Sequence, residues 1–172
     1  MIEDLKKITE LTQIKDSISF YQSIFKKKDI INIFRELKEN ELFSFDQLID
    51  ITAIDYPSKE NRFELIYILL SMKKNKRIIL KTLVNENDSI DSIIKIFKAS
   101  DWYERECYDL FGIKFNNHPD LRRIMTDYNF EGHPLRKDFP LTGHTEVRYD
   151  DVEKKVIYEP VKLTQEYRDF DY

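Results

Sequence analysis

The first two thirds of the chain keeps regular hydrophobic periods, and the last third keeps none. Ile30, Ile33, Phe34 and Leu37 follow the i, i+3, i+4, i+7 rule and predict an amphipathic helix over residues 29–39, with Asp29 available as a cap. Ile90, Ile93, Ile94 and Phe97 repeat the rule and predict a second helix, capped by Asp88 or Ser89. Between them lie QLIDITAIDY, RFELIYILLSM and KRIILKTLV, rich in β-branched and aromatic residues and separated by the polar connectors PSKEN and KKN. They predict three consecutive antiparallel strands. SISFYQSIF, ahead of the first helix, supplies a further strand. The β-α-β-β-β-α order predicts an α+β fold over residues 1–112, a small antiparallel sheet with helices on one face. Residues 1–20 are set apart as a candidate N-terminal helical extension.

DWYERECYDLF predicts one more helix from Asp101 to Phe111, ended by Gly112 in a post-helical position. Tyr103, Cys107, Leu110 and Phe111 fall on its apolar stripe. Asp101, Arg105 and Asp109 fall on another, where acid–base–acid neighbours four apart support a helix by a few tenths of a kcal/mol (about 0.2–0.5) per pair.

Beyond Phe111 the chain changes character, because all three glycines, all three histidines and four of the five prolines lie there. Residues 113–172 predict a long, mostly irregular arm, since Pro134, Pro140 and Pro160 deny a long helix or a central strand. Phe130, Phe139, Tyr149, Tyr158, Tyr167, Phe170 and Tyr172 give it too much aromatic surface for a disordered tail. Ordering about 60 residues costs roughly 60–120 kcal/mol of backbone entropy. At about 25 cal/mol per Å², the offset takes several thousand Å² of apolar burial, the scale of an obligate interface. The arm is therefore expected to gain its order by lying across its own domain and a partner.

Charge narrows the candidate chemistry. Charged residues make up 35% of the chain, yet the net charge is only −4, which argues against nucleic-acid binding. Lys26-Lys27-Lys28 and Lys73-Lys74-Asn75-Lys76-Arg77 are expected to be solvated turns. Leu65–Leu70, the longest apolar run, is strand-sized, so no membrane span is expected. The amino terminus, acidic-containing and arginine-free, resembles neither a secretory signal nor a presequence. Cys107 is the only cysteine, and one thiol supplies neither an internal disulfide nor the usual four ligands of an iron–sulfur cluster.

Glu104, Glu106 and Asp109 gather three carboxylates on one helix. Carboxylate metal sites normally draw Glu-x-x-His patterns from more than one helix, and no histidine stands at that offset here. His118, His133 and His144 are spaced 15 and 11 residues apart, unlike zinc motifs that keep one pair close. Arg122-Arg123 and Arg136-Lys137 lack a glycine-rich phosphate loop and suit carboxylate partners better. A metal-dependent hydrolase built on the three histidines and nearby carboxylates stands as the enzymatic rival to a partner-holding surface.

The ordered set ERECYDLF, HPDLRRIM, GHPLRKDFPL, EVRYDD and YEP strongly resembles the signature of the 30-kilodalton, or C-type, subunit family of proton-pumping NADH:quinone oxidoreductase, respiratory complex I. The matched positions are Glu104, Arg105, Glu106, Asp109, Leu110, Phe111, His118, Arg122, Ile124 and Met125. Tyr149, Tyr158 and Pro160 follow in the arm, beside Arg123, Arg136 and Lys137. The resemblance implies an α/β domain and an irregular arm clamped on the large hydrogenase-like subunit, with these residues in structural or docking roles and none catalytic. It implies an obligate hetero-oligomer with neighbouring peripheral-arm subunits. NADH, FMN, iron–sulfur clusters and quinone would be bound by other subunits, with no cofactor or metal on this chain. It further implies a peripheral seat on the matrix side of the mitochondrial inner membrane or the cytoplasmic side of a bacterial one. Related subunits of membrane-bound hydrogenases and of the chloroplast or cyanobacterial complex share the architecture.

Overall fold

In the computed structural model, which describes Leu5, residues 11–16 and residues 20–162, a strand pair opens the chain: β1 (Leu11–Asp16) and β2 (Phe20–Phe25), joined antiparallel. The expected helical extension is thus corrected at 11–16, which are strand because their backbone completes the sheet edge beside β2. The rest of residues 1–20, apart from Leu5 and Phe20, lies outside the described residues. After a 3₁₀ turn at Lys27–Asp29, α1 (Ile30–Glu39) buries the predicted Ile30, Ile33, Phe34 and Leu37. Asp29 precedes it but makes no side-chain cap bond.

Three nine-residue strands follow: β3 (Gln47–Asp55), β4 (Phe63–Ser71) and β5 (Lys76–Val84). Period-2 alternation turns Phe63, Leu65, Tyr67 and Leu69 of β4 to the core with Ile78, Leu80 and Val84 of β5. A register shift between Leu48 and Asp50 lets both Leu48 and Ile51 face inward despite their odd spacing. The sheet runs β1-β2-β5-β4-β3. Every pairing in it is antiparallel except β2–β5, because α1 carries the chain to the far edge before it returns. Phe34 of α1 packs edge-on to Tyr67 at 4.9 Å between centroids, joined by Phe25 and Phe97.

The helix expected from Ile90 to Phe97 is not formed. Instead β6 (Ser89–Asp91) pairs in parallel with β7 (Lys114–Asn116), setting Ile90 opposite Phe115. Only one turn follows, with the N–H groups of Ile96 and Phe97 both donating to Ile93 O. Strand plus turn buries Ile90, Ile93 and Phe97 as a helix would have done, so tertiary pairing satisfies the same spacing. The next helix, α2 (Ser100–Phe111), ends where predicted, and Gly112 takes the left-handed conformation at φ 81°.

The arm has more regular structure than expected. Residues 117–144 are turns and bends, and then β8 (Thr145–Asp150) and β9 (Lys155–Pro160) form an antiparallel hairpin. Its alternation is confined to two six-residue runs interrupted by charges, which hides the period. The lysine-rich runs are, as expected, mostly solvent-facing turns.

Candidate functional site: the junction of helix and arm

An α-helix ends with four carbonyls that have no partner of their own. In α2 all four are answered, one by Gly112 and three by the arm. Tyr108 O accepts the Gly112 N–H at 2.9 Å, and Leu110 O accepts the Leu135 N–H at 3.0 Å. Asp109 O meets His133 Nδ1 at 2.8 Å and Arg123 Nη1 at 3.3 Å, and Phe111 O accepts from Arg136 Nε at 2.6 Å. Two guanidinium groups therefore stand at the negative end of the helix dipole. Gly112 is required twice: by its φ, and because a Cβ there would overlap the Arg136 guanidinium and the His133 ring.

Asp109 is the anchor of this junction. It is fully buried, and its Oδ2 accepts the N–H groups of Ile124 (3.0 Å), Met125 (2.7 Å) and Thr126 (2.9 Å). Its Oδ1 accepts from Thr126 Oγ1 at 2.6 Å and Arg123 Nη1 at 2.7 Å. Burial pushes the carboxyl up, but the hydrogen bonds from Thr126, Arg123 and Met125 outweigh it and hold Asp109 well below the usual carboxylate range. Arg123 also reaches Gly132 O at 3.0 Å, so one carboxylate and one guanidinium close a loop of the arm.

The other signature residues sort by what they touch. Arg105 donates to the carbonyls of Arg122 and Arg123, both at 3.2 Å, so the expected Asp101–Arg105–Asp109 row forms no ion pairs along the helix. Each member faces the arm instead. Glu104 is buried beside Cys107, whereas Tyr103 and Leu110, assigned to the apolar stripe, are only half-buried. The Cys107 thiol, raised well above its ordinary range by burial, donates to Ile51 O at 3.4 Å. His118 donates from Nε2 to the Asp101 carbonyl at 3.2 Å. Glu106 lines a cleft of about 460 Å³ with Trp102, Tyr103 and Met125; the Trp102 side is 70% exposed. Arg122 pairs at the surface with Asp120 at 2.9 Å.

Lys137 contributes its backbone, whose N–H donates to Asp55 Oδ2 at 2.7 Å. Asp55, at the buried end of β3, is held bidentately by Arg62 at 2.7 and 2.9 Å, and Arg62 also reaches Asp138 at 2.9 Å. The Arg62 bond, against the cost of burial, keeps Asp55 below its usual range. Arg136 adds an ion pair to Glu86 at 2.7 Å. Asp55, Arg62, Glu86 and Thr126 were absent from the expected site. Inward alternation of Ile51, Ala53 and Asp55 marks a buried acid in need of a cation, whereas nothing in the sequence marks Thr126.

Tyr149, Tyr158 and Pro160 lie apart, on the hairpin. The register sets Val147 against Tyr158 and Tyr149 against Val156, so these four share one face. They are 55–63% exposed, while Glu146, Arg148 and Glu159 occupy the opposite face. The Tyr158 hydroxyl is tied back to Asp127 at 3.1 Å. The three histidines do not converge: His118 faces Asp101, His133 the end of α2, and His144 the Phe139 ring. Among the described residues no group of three or more His, Cys, Asp or Glu is placed to hold a metal ion.

Residues 24–145 match the family model described as respiratory-chain NADH dehydrogenase, 30 Kd subunit. The C subunit of the NADH-quinone oxidoreductase of Hyphomonas neptunium is 54% identical over 143 residues, covering 83% of this chain and 71% of that protein. A mitochondrial protein of Candida albicans named NADH dehydrogenase [ubiquinone] iron-sulfur protein 3 is 50% identical over 165 residues, 96% of this chain and 58% of that protein. A chain in the structure of an archaeal respiratory membrane complex, the membrane-bound sulfane sulfur reductase, shares the fold. Its TM-score is 0.70 at 24% identity, over 81% of this chain and 84% of that one.

Proposed function

Because the chain belongs to the family of the respiratory-chain NADH dehydrogenase 30 Kd subunit, we propose that it is a non-catalytic assembly subunit of the peripheral arm of a proton-pumping NADH:quinone oxidoreductase, docked on the large hydrogenase-like subunit. The observation that carries the docking role is the amphipathic hairpin. Four large apolar side chains share one exposed face on the hairpin that follows the pinned first half of the arm. Contiguous exposed apolar surface of this kind marks an interface. In this reading Glu104, Arg105, Asp109, Arg123, Arg136 and Lys137 act within the chain and present the hairpin. Glu106, Arg122, Tyr149, Tyr158 and Pro160 are left to meet the partner.

Electron transfer from NADH to quinone is then an activity of the assembly, whose flavin, clusters and quinone are held by other subunits. Support comes from the single cysteine, whose thiol is buried and committed to a backbone carbonyl. No helix among the described residues is long and apolar enough to cross a membrane, in keeping with a peripheral seat. Relatives in mitochondria and bacteria suit the matrix side of the inner membrane or the bacterial cytoplasmic side. A second reading seats the chain in a related membrane-bound complex; it draws only on the fold shared with the archaeal complex. Pull-down with mass spectrometry separates the two.

The test is a double substitution, Tyr149→Asp with Val156→Asp, in the full chain. The chain should melt as before while the assembled complex on a native gel falls at least tenfold. Normal assembly of the double variant would overturn the docking role. Elemental analysis of the purified chain tests the rival: stoichiometric zinc or iron would restore the hydrolase.

A further inference from the structure

Beneath α2 lies a second polar cluster whose hydrogen bonds are unfinished. Glu104 is fully buried; Oε1 accepts the Ile93 N–H at 2.9 Å, and Oε2 has no partner. The buried Oδ1 of Asp101 and the hydroxyls of Ser100 and Tyr67 also lack partners, although Ser100 Oγ approaches the Glu104 carboxyl. The His118 ring lies among them with its side chain fully buried: Nε2 is 3.4 Å from Asp101 Oδ1 and 3.9 Å from Glu104 Oε2. An ionised carboxylate only accepts hydrogen bonds, so the unpartnered Oε2 of a fully buried Glu104 is a costly arrangement unless a proton is supplied.

The other ring nitrogen of His118 shows where that proton is not. Asp120 N–H donates to Nδ1 at 3.1 Å, so Nδ1 acts as an acceptor and the ring N–H stands on Nε2. Its one N–H is directed to the Asp101 carbonyl. Both ring nitrogens are thus committed, Nδ1 to the Asp120 N–H and Nε2 to the Asp101 carbonyl, and neither is free to accept from Glu104 or to ligate a metal. We infer that Glu104 carries a proton on Oε2 in the folded chain, making the cluster a buried proton-binding site that locks the root of the arm, at His118, to α2 and to the turn after β6.

The surroundings agree. Burial is the largest influence on Glu104 and, opposed by Ser92, the Ile93 N–H and Ser100 and aided by the Asp101 charge, it brings the carboxyl up to about 7. The titratable groups around it are Asp101 and Cys107 from α2, Tyr67 from β4 and His118 from the segment after β7; the turn after β6 offers only Ser92 and a backbone N–H. An acid whose folded pKa is raised makes the folded state bind more protons. Stability of the lock therefore falls as pH rises from about 4.3, the unfolded value, through about 7, and is flat above. A buried neutral histidine gives the opposite slope, so the sign identifies the acid.

The experiment follows hydrogen exchange of residues 113–121 in the full chain at pH 6 and pH 8, corrected for intrinsic rates, in the wild type and Glu104→Gln. Wild-type protection should fall about tenfold between the two pH values, from the linkage of the two carboxyl affinities. In the amide variant, which keeps a donor in place of the acid O–H, it should stay constant. Unchanged wild-type protection, or the same tenfold fall in Glu104→Gln, would overturn the proposal. Should the variant not fold, the ¹³C shift of the wild-type Glu104 carboxyl decides: a midpoint near 7 supports the proposal, and one in the ordinary carboxylate range overturns it.

Discussion

The two halves of the arm solve opposite problems. Residues 117–144 have almost no secondary structure, yet their backbone and basic groups are spent on the domain: on Asp109 and three terminal carbonyls of α2 and, through Lys137, on Asp55 of β3. Residues 145–160 pair their own backbone fully in a hairpin, yet leave Val147, Tyr149, Val156 and Tyr158 facing solvent. The first half is ordered by the polar requirements of a helix end and needs no apolar core. The second has apolar surface and no core to give it to. An isolated two-stranded hairpin is marginal in water, and on the proposed docking its remaining stabilisation comes from the partner. The family-model match ends at residue 145, where the pinned half gives way to the hairpin.

Asp109→Ala should do most to erase the difference. It strands Arg123 and three N–H groups, and breaking a buried ion pair of this kind costs about 3–5 kcal/mol. Urea titration measures the loss, and exchange at residues 123–133 should rise to the level of the hairpin. The same carboxyl sets an acid limit. Because its folded pKa is depressed, its contribution is present above about pH 4 and is lost as pH falls below that value, opposite in sign to Glu104. Acid titration of Asp109→Asn should therefore be flatter than that of the wild type.

Gly112→Ala comes next. The left-handed backbone alone costs about 1–2 kcal/mol, and the added Cβ displaces Arg136 and His133. Its melting temperature should fall, and exchange should rise at Leu135 and Arg136 while β8 and β9 are unaffected. Smallest is Tyr158→Phe, which removes one exposed hydrogen bond to Asp127, the tie between hairpin and pinned half. It should cost about 0.5 kcal/mol or less in stability. Assembly should be unaffected, because the ring that faces the partner is kept.

The sequence showed α1, the three long strands and the end of α2 at Gly112 because each combines a clean period with a punctuating residue. It misled at Ile90–Phe97, where the spacing i, i+3, i+7 is met equally by a strand followed by one turn once β7 pairs with β6. The hairpin was hidden by its brevity and by the charges on its other face. Glu104, Arg105, Asp109, His118 and Arg123 were legible as a charged set with structural or docking roles. Which segment they grip was not legible, since acid–base spacing along a helix equally describes pairs within it. Tertiary contact decided, drawing Asp109 to the N–H groups of residues 124–126 and Arg105 to two carbonyls. Thr126 and Glu86 carried no signal because their roles exist only in three dimensions.

Residues 117–136 are ordered by the chain itself, and on the proposed docking residues 145–160 are ordered by a partner. Hydrogen exchange of the full chain, measured alone and again within the purified respiratory complex, addresses this directly. Alone, residues 123–136 should be protected and β8 and β9 should exchange near the intrinsic rate; in the complex both should be protected. A hairpin as protected in the isolated chain as in the complex, or one that stays unprotected in the complex, would contradict it.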